Sequence, residues 1–330
     1  MKSDVGILLL QLGTPDAPYA GPVRRYLSEF LTDPRVIEVP RVIWWPLLNG
    51  IILTTRPWSS AKKYRRVWDK GVPGSPLRYY SQRQQDLVAE RFPQAHVRYA
   101  MTYGNPQIKT VVKEMLEAGV ERIIVLPMFP QYSATTTAAC TDMLFRIMLK
   151  VRHQPSIRIV PPYYLHPAYL DALKGIIQEN REKLPWSADY CVLSYHGIPK
   201  KYAQKGDPYA TQVSRTTRAL TERLGWKRGT FIQTYQSRFG PAAWLKPYTD
   251  DTLERLAHEG KKKVFVAMPG FTADCLETID EIGYEALEEF HEAGGEDLVA
   301  CPCLNDDPRW IDALEQIIHE EGAGWIPKAR

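Results

Sequence analysis

The sequence predicts an α/β protein made of two similar Rossmann-like halves, each a parallel sheet flanked by helices. Three observations carry this. Short apolar runs alternate with helical stretches along all 330 residues, the pattern of strand–helix–strand crossovers. The first run, Gly6–Leu12, is continuously apolar, as in a buried parallel strand. A phrase also recurs: Ile124-Val-Leu-Pro-Met-Phe129 and Val266-Ala-Met-Pro-Gly-Phe271 each carry a strand into a proline and a phenylalanine ahead of a helix. Proline density between Pro161 and Pro167 places the junction, giving an N-terminal half at residues 1–163 and a C-terminal half at 164–330.

Each element follows from local signals. The first half opens with the strand Gly6–Leu12, stopped by Gly13-Thr-Pro15. Residues 20–32 set Val23, Tyr26, Leu27 and Phe30 on one helical face. The apolar window Val42–Leu53 is broken by Pro46, Asn49 and Gly50, and it falls short of the about 20 residues a spanning helix needs. Its two tryptophans and the flanking Arg41 and Arg56 suit peripheral contact with a membrane surface through residues 42–53. Helices are expected at 61–68, 80–91, 107–118 and after Thr137, and further strands at 96–102, 122–127 and 157–160.

The second half repeats the plan. Its strands are expected at 190–195, 231–235, 263–268 and 297–300, and its helices at 168–179, 208–224, 249–258, 283–293 and 308–320. A further helix starts after Pro269 and Gly270, with Thr272 or Asp274 as N-cap.

Composition narrows the function. Hydrophobic content of 44% and charged content of 24% fit a globular protein. A net charge of +4 is too small to argue for nucleic acid as a partner. The five cysteines are an odd number in a chain of this size and no secretory pattern is visible, so a reducing cytoplasmic location is expected. There is no dinucleotide fingerprint, P-loop or Gly-x-Ser-x-Gly elbow.

Two features carry chemistry. Glu277, Glu281 and Glu285 recur every fourth residue, so they share one helical face. Such a row either faces water or guides a cation. His196 directly follows the strand 190–195, and the strand leading to Glu277 ends on the same sheet edge, where open α/β sheets place their sites. A histidine and a carboxylate there can bind a divalent metal or relay protons. Leu12, Tyr132, Trp244 and Phe271 offer walls for a large planar apolar ligand. Tyr64, Arg65 and Arg66 suit its carboxylates.

Several motifs, in order and over nearly the whole chain, make a specific signal: Leu10-Gln-Leu-Gly-Thr-Pro15, Tyr64-Arg-Arg66 with Gly74-Ser-Pro76, Pro130-Gln-Tyr-Ser133, Ser194-Tyr-His-Gly-Ile-Pro199, Gly206-Asp-Pro-Tyr209, Gln236-Ser-Arg-Phe-Gly240 with Trp244-Leu-Lys-Pro247, and Phe271-Thr-Ala-Asp-Cys-Leu-Glu-Thr278. With these the chain resembles the ferrochelatases, in their proteobacterial branch. The resemblance implies a chelatase-like fold with an active-site cleft between the halves, and insertion of Fe²⁺ into protoporphyrin IX with release of two protons, the last step of haem synthesis. It places His196 and Glu277 as catalytic residues. His196, Glu277, Glu281 and Glu285 become the metal groups, and Leu12, Tyr64, Arg65, Arg66, Ser75, Tyr132, Trp244 and Phe271 the porphyrin contacts. Fe²⁺ is then a substrate, with no resident cofactor. The chain departs from animal members at Cys275, where they carry a second histidine, and at Ala134, where they place one cluster ligand. No [2Fe–2S] cluster is expected, because Cys301 and Cys303 lack a second pair. The rivals are a cobalt or nickel chelatase, a non-catalytic porphyrin carrier and, more distantly, a solute-binding protein.

Overall fold

The computed structural model describes residues 3–326. Every apolar run named above forms a strand. β1 (Val5–Thr14), β2 (His96–Gly104), β3 (Arg122–Pro127) and β4 (Ser156–Ile159) form one sheet. β5 (Tyr190–His196), β6 (Phe231–Gln236), β7 (Lys263–Ala267) and β8 (Asp297–Ala300) form another. All pairings are parallel, in the orders β2-β1-β3-β4 and β6-β5-β7-β8. The two orders are the same plan used twice, which accounts for the recurring phrase at the ends of β3 and β7.

Two compact units result. The first comprises residues up to Phe129, Ser133–Pro161 and the chain from Leu314 onward; the second comprises Pro130–Tyr132 and Pro162–Ala313. This differs from a single cut after residue 163. The return of the last segment to the first unit has a physical cause. Gly322 lies so close to β3 that a Cβ there would sit 2.9 Å from the Ile124 side chain. Arg158 of β4 donates from Nη1 to the carbonyls of Glu321 and Ala323 at 2.8 and 2.9 Å.

The first core forms around β1 and β3. Leu8, Leu10, Ile123 and Val125 pack with Val112 and Met115 of the helix Ile108–Glu117 and with Leu144 of the helix Ala139–Met148. The second forms around β7, where Val264 and Val266 meet Leu253, Leu256, Ile282 and Phe290. Each such side chain contributes about 1.5–3 kcal/mol on burial. β1 is buried at nine of its ten positions, and only Leu12 is half-exposed. Gly13 follows at φ 131°, and a Cβ there would sit 1.8 Å from the Tyr103 carbonyl oxygen, so glycine permits the close β1–β2 approach.

The window 42–53 is helical throughout, despite its breakers. An α-helix, Arg41–Leu47, runs into a π-helical turn, Leu48–Ile52, and then into the helix Leu53–Val67. Pro57 lies inside that last helix and has no N–H for the carbonyl of Leu53 four residues earlier. Arg24 takes its place, donating from Nε to Leu53 O at 3.2 Å. The paired tryptophans point opposite ways. Trp44 is buried and donates from Nε1 to Leu31 O at 2.7 Å, whereas Trp45 is 60% exposed. Val42, Ile43, Ile51 and Trp58 are exposed with it. Among the described residues no helix is long and apolar enough to cross a membrane.

A second correction concerns the acidic row. The helix after β7 begins neither at Thr272 nor at Asp274; it starts at Leu276, with an α-type bond from Ile279 N–H to Cys275 O, and changes its winding from Glu277 on. That stretch is a π-helix, Glu277–Glu285, closed by a bond from Ala286 N–H to Glu281 O and followed by the α-helix Ala286–Glu292. Asp274 instead braces the approach. Its carboxylate accepts from Thr278 Oγ1 at 2.9 Å, Asn305 Nδ2 at 2.6 Å and Cys303 N–H at 3.3 Å. Asn305 reaches it from a left-handed turn after β8, with φ 48°.

Candidate active site

The second unit gathers charge at the carboxyl ends of β5, β6 and β7. β5 ends in His196, which pairs in register with Gln236 at the end of β6. Ser194, two residues before His196, fixes the Gln236 amide by donating to its Oε1 at 2.7 Å. The Gln236 Nε2 is thereby turned toward the π-helix, where it donates to Glu277 O at 2.8 Å and lies 3.4 Å from Glu281 Oε2.

His196 is half-buried, and its Nδ1 lies 2.6 Å from Gly197 O. A carbonyl oxygen only accepts, so in the neutral ring Nδ1 carries the proton and Nε2 keeps its lone pair. That nitrogen can accept a proton or bind a metal. The Trp244 ring sits 6.4 Å from the imidazole, tilted by 44°, and is held by a bond from its Nε1 to Phe239 O at 3.0 Å. Gly197 lets it approach, since a Cβ there would meet Trp244 Cε3 at 3.0 Å.

Glu281 is held by two short bonds from one residue. The Ser237 N–H donates to its Oε1 at 2.6 Å and the Ser237 hydroxyl to its Oε2 at 2.5 Å. Burial pushes its carboxyl above the ordinary value; the Ser237 bonds and His196 oppose this shift, and Glu277 adds to it. Glu281 and Glu285 line a cavity of about 210 Å³ together with Tyr235, Ser237, Arg238 and Asp250. Cys275 is buried, and burial pushes its thiol well up, with the hydrogen-bonded Glu277 carboxylate adding to the effect. It therefore stands beside Glu277 as a protonated thiol, which answers why a thiol tolerates that position.

The structure thus brings His196, Glu277, Glu281 and Trp244 together and continues the acidic row to Glu285. It does not preassemble a metal cage. Among the described residues no three His, Cys, Asp or Glu groups are placed to hold an ion. Phe271 packs against the core around Val192 and Val264, so only part of its ring is available as a wall. Tyr132 is half-buried, with its N–H held by Gln212 Oε1 at 2.7 Å.

In the first unit, Leu12 is half-exposed at the end of β1. Arg65 and Arg66 are exposed in the last turn of the helix Leu53–Val67. Tyr64 is buried against Trp68, with ring centroids 6.4 Å apart. Ser75 is also buried, and its hydroxyl lies 2.8 Å from Thr14 Oγ1. Burial makes Ser75 a support for the β1 end, and Tyr64 a support for the end of its own helix, before anything else. Sequence reasoning gave no role to Gln236, Ser237 or Asn305, and offered Asp274 only as a helix cap. The signal for Gln236 and Ser237 was position alone, at a strand outlet inside a motif already noted.

Comparisons with known proteins bear on the family and the fold. The ferrochelatase family model matches residues 4–322. A ferrochelatase of Brucella anthropi is 50% identical over 98% of this chain and 93% of its own length. One of Rhizobium meliloti is 48% identical over 98% and 96%, and one of Mesorhizobium japonicum is 47% identical over 98% and 92%. Among solved structures, SirB from Bacillus subtilis with Fe³⁺ superposes with a TM-score of 0.56 at 14% identity, over 76% of this chain and 92% of that one. The sirohydrochlorin chelatase SirB of Bacillus subtilis subspecies spizizenii in complex with cobalt gives 0.52 at 13%, over 76% and 93%. At such identities the likeness concerns the fold. By the family model and by near-full-length identity of about half, the chain belongs to the ferrochelatase family.

Proposed function

We propose that this chain is a ferrochelatase in activity, a lyase that inserts Fe²⁺ into protoporphyrin IX and releases two protons in the last step of haem synthesis. One observation carries the assignment of roles: an imidazole with a free Nε2 stands at the strand edge where the acidic π-helix begins. His196 takes the pyrrole protons through Nε2, one at a time. Glu277 neutralises the charge left on the imidazolium, and the buried Cys275 thiol beside it stays protonated. Fe²⁺ is borderline in softness and suits imidazole with carboxylate. Glu281 and Glu285 offer it a wet acidic approach along the cavity. Trp244, Tyr132 and the accessible part of Phe271 contact the macrocycle, as does Leu12. Arg65 and Arg66 take its propionates, supported by Tyr64 and Ser75. Iron is a substrate throughout, and no cluster is held.

The test is an anaerobic assay with Fe²⁺ and protoporphyrin IX, following loss of porphyrin fluorescence. Tight porphyrin binding without turnover would identify a carrier. Preference for Co²⁺ or Ni²⁺ with another tetrapyrrole would identify a different chelatase.

A cytoplasmic protein touching the inner face of the membrane is part of the same proposal, carried by the exposed Val42, Ile43, Trp45 and Ile51 beside Arg41 and Arg56. Trp45→Ser is expected to weaken co-sedimentation with anionic vesicles. Trp44 is unsuitable for that test, because it anchors the core. Equal sedimentation of Trp45→Ser and wild type would sink the contact.

A further inference from the structure

We propose that Ser237 is a positioning residue for chelation, holding Glu281 in the one orientation from which it receives the metal. The proposal rests on the function given above. Ser237 is the first residue after β6, and it adopts φ 64°, a left-handed conformation that residues with a side chain seldom take. The conformation has a use. It turns both the N–H and the hydroxyl of one residue onto one carboxylate, at 2.6 and 2.5 Å. Gln236 beside it donates to Glu277 O at 2.8 Å, so this two-residue corner fastens two successive turns of the π-helix. The corner is itself braced from below. Ser194 bonds Gln236, and its hydroxyl lies 2.9 Å from Thr249 Oγ1, which bonds Thr234 Oγ1 at 2.9 Å.

An ionised carboxylate has about four acceptor sites on its two oxygens. Ser237 occupies one on each, Gln236 Nε2 approaches Oε2 as well at 3.4 Å, and a site on Oε1 is left for a cation. Glu281 is thereby a charge fixed in place, and an arriving divalent ion need not order it. A serine that merely satisfies a buried acid would show the same bonds, so the test has to read the metal step.

Ser237→Gly keeps the left-handed backbone and the N–H and removes the hydroxyl. The KM for Fe²⁺ is expected to rise about tenfold, the lower end of what loss of a partner to a metal ligand costs. The kcat and the KM for protoporphyrin IX should stay within about twofold of wild type. Ser237→Asn, which also tolerates left-handed backbone, provides a second variant and should show the same split. In a Glu281→Gln background Ser237→Gly should add nothing. Titration with Co²⁺ in the absence of porphyrin gives a readout independent of turnover, with about tenfold weaker binding expected in Ser237→Gly. An unchanged KM for Fe²⁺ and unchanged Co²⁺ binding would overturn the proposal, as would an equal rise in both backgrounds. A wild-type protein that binds Co²⁺ through this corner and does not turn over Fe²⁺ would instead count against the activity proposed above.

Discussion

The two sheets share a strand order and part company at their outlets. After β3 the chain enters a π-helical turn, Ala134–Ala138, that carries three threonines and is capped by Ser133 Oγ accepting from Thr135 N–H at 3.2 Å. After β7 it enters a π-helix of nine residues that carries Glu277, Glu281 and Glu285. β1 ends in Gly13-Thr14, uncharged, whereas β5 ends in His196. The repeated scaffold delivers two equivalent edges; the β1 and β3 ends are uncharged, and charges beyond them, such as Asp16 and Arg78, pair with each other. Chemistry in this protein is a property of a few outlet side chains, and the sheets supply the placement.

The comparison can be broken at the charged edge first. His196→Ala is expected to lower metal insertion by about 10²–10⁴-fold, the usual contribution of a positioned acid–base group. A changeless Tm would show that the loss is chemical. Thr136→Val, on the neutral edge, should leave insertion within about twofold. Near-normal turnover in folded His196→Ala would remove the imidazole from the mechanism.

Asp274→Ala tests what the charged edge costs to hold. It strands the Thr278 hydroxyl, the Asn305 amide and the Cys303 N–H. A loss of about 2–3 kcal/mol is expected, at the upper end for unsatisfied buried groups, read as a lower denaturation midpoint for the second unit. No shift would mean that water replaces the carboxylate freely.

The smallest effect is a pH dependence. Burial raises Glu281 above the ordinary carboxylate value of 4.5. A group with a raised folded value stabilises the fold below its unfolded value, and that contribution is lost as pH rises through the folded one. The Tm of Glu281→Gln relative to wild type should therefore climb as pH rises from about 4.5 toward neutrality. The opposite slope would mean that the Ser237 bonds outweigh burial.

Most of the architecture was legible in the sequence. Strands buried on both faces have to be continuously apolar, and β1, β3 and β7 announced themselves that way, whereas β4 and β6, which carry Arg158 and Gln233, were legible from their place between helices. His196 was legible because a strand outlet is a place with consequences. The i→i+5 winding of Glu277–Glu285 was not, since no residue type there demands it over an α-helix. Trp44 and Trp45 are chemically identical neighbours, and only the helix phase separates anchor from surface. Ser237 escaped notice because serine carries no mark of a left-handed backbone. Phe271 read as a wall, but its partners in the core lie far away in sequence.

The bond from Arg24 to the Leu53 carbonyl has a consequence for how this chain tolerates change. Pro57 created the need, and Arg24, 33 positions earlier in the chain by simple subtraction, meets it. The two are one inherited choice: an alanine at 57 restores the helical donor and makes Arg24 dispensable, whereas loss of Arg24 alone strands an acceptor. Variation at either position is readable only with the other in view.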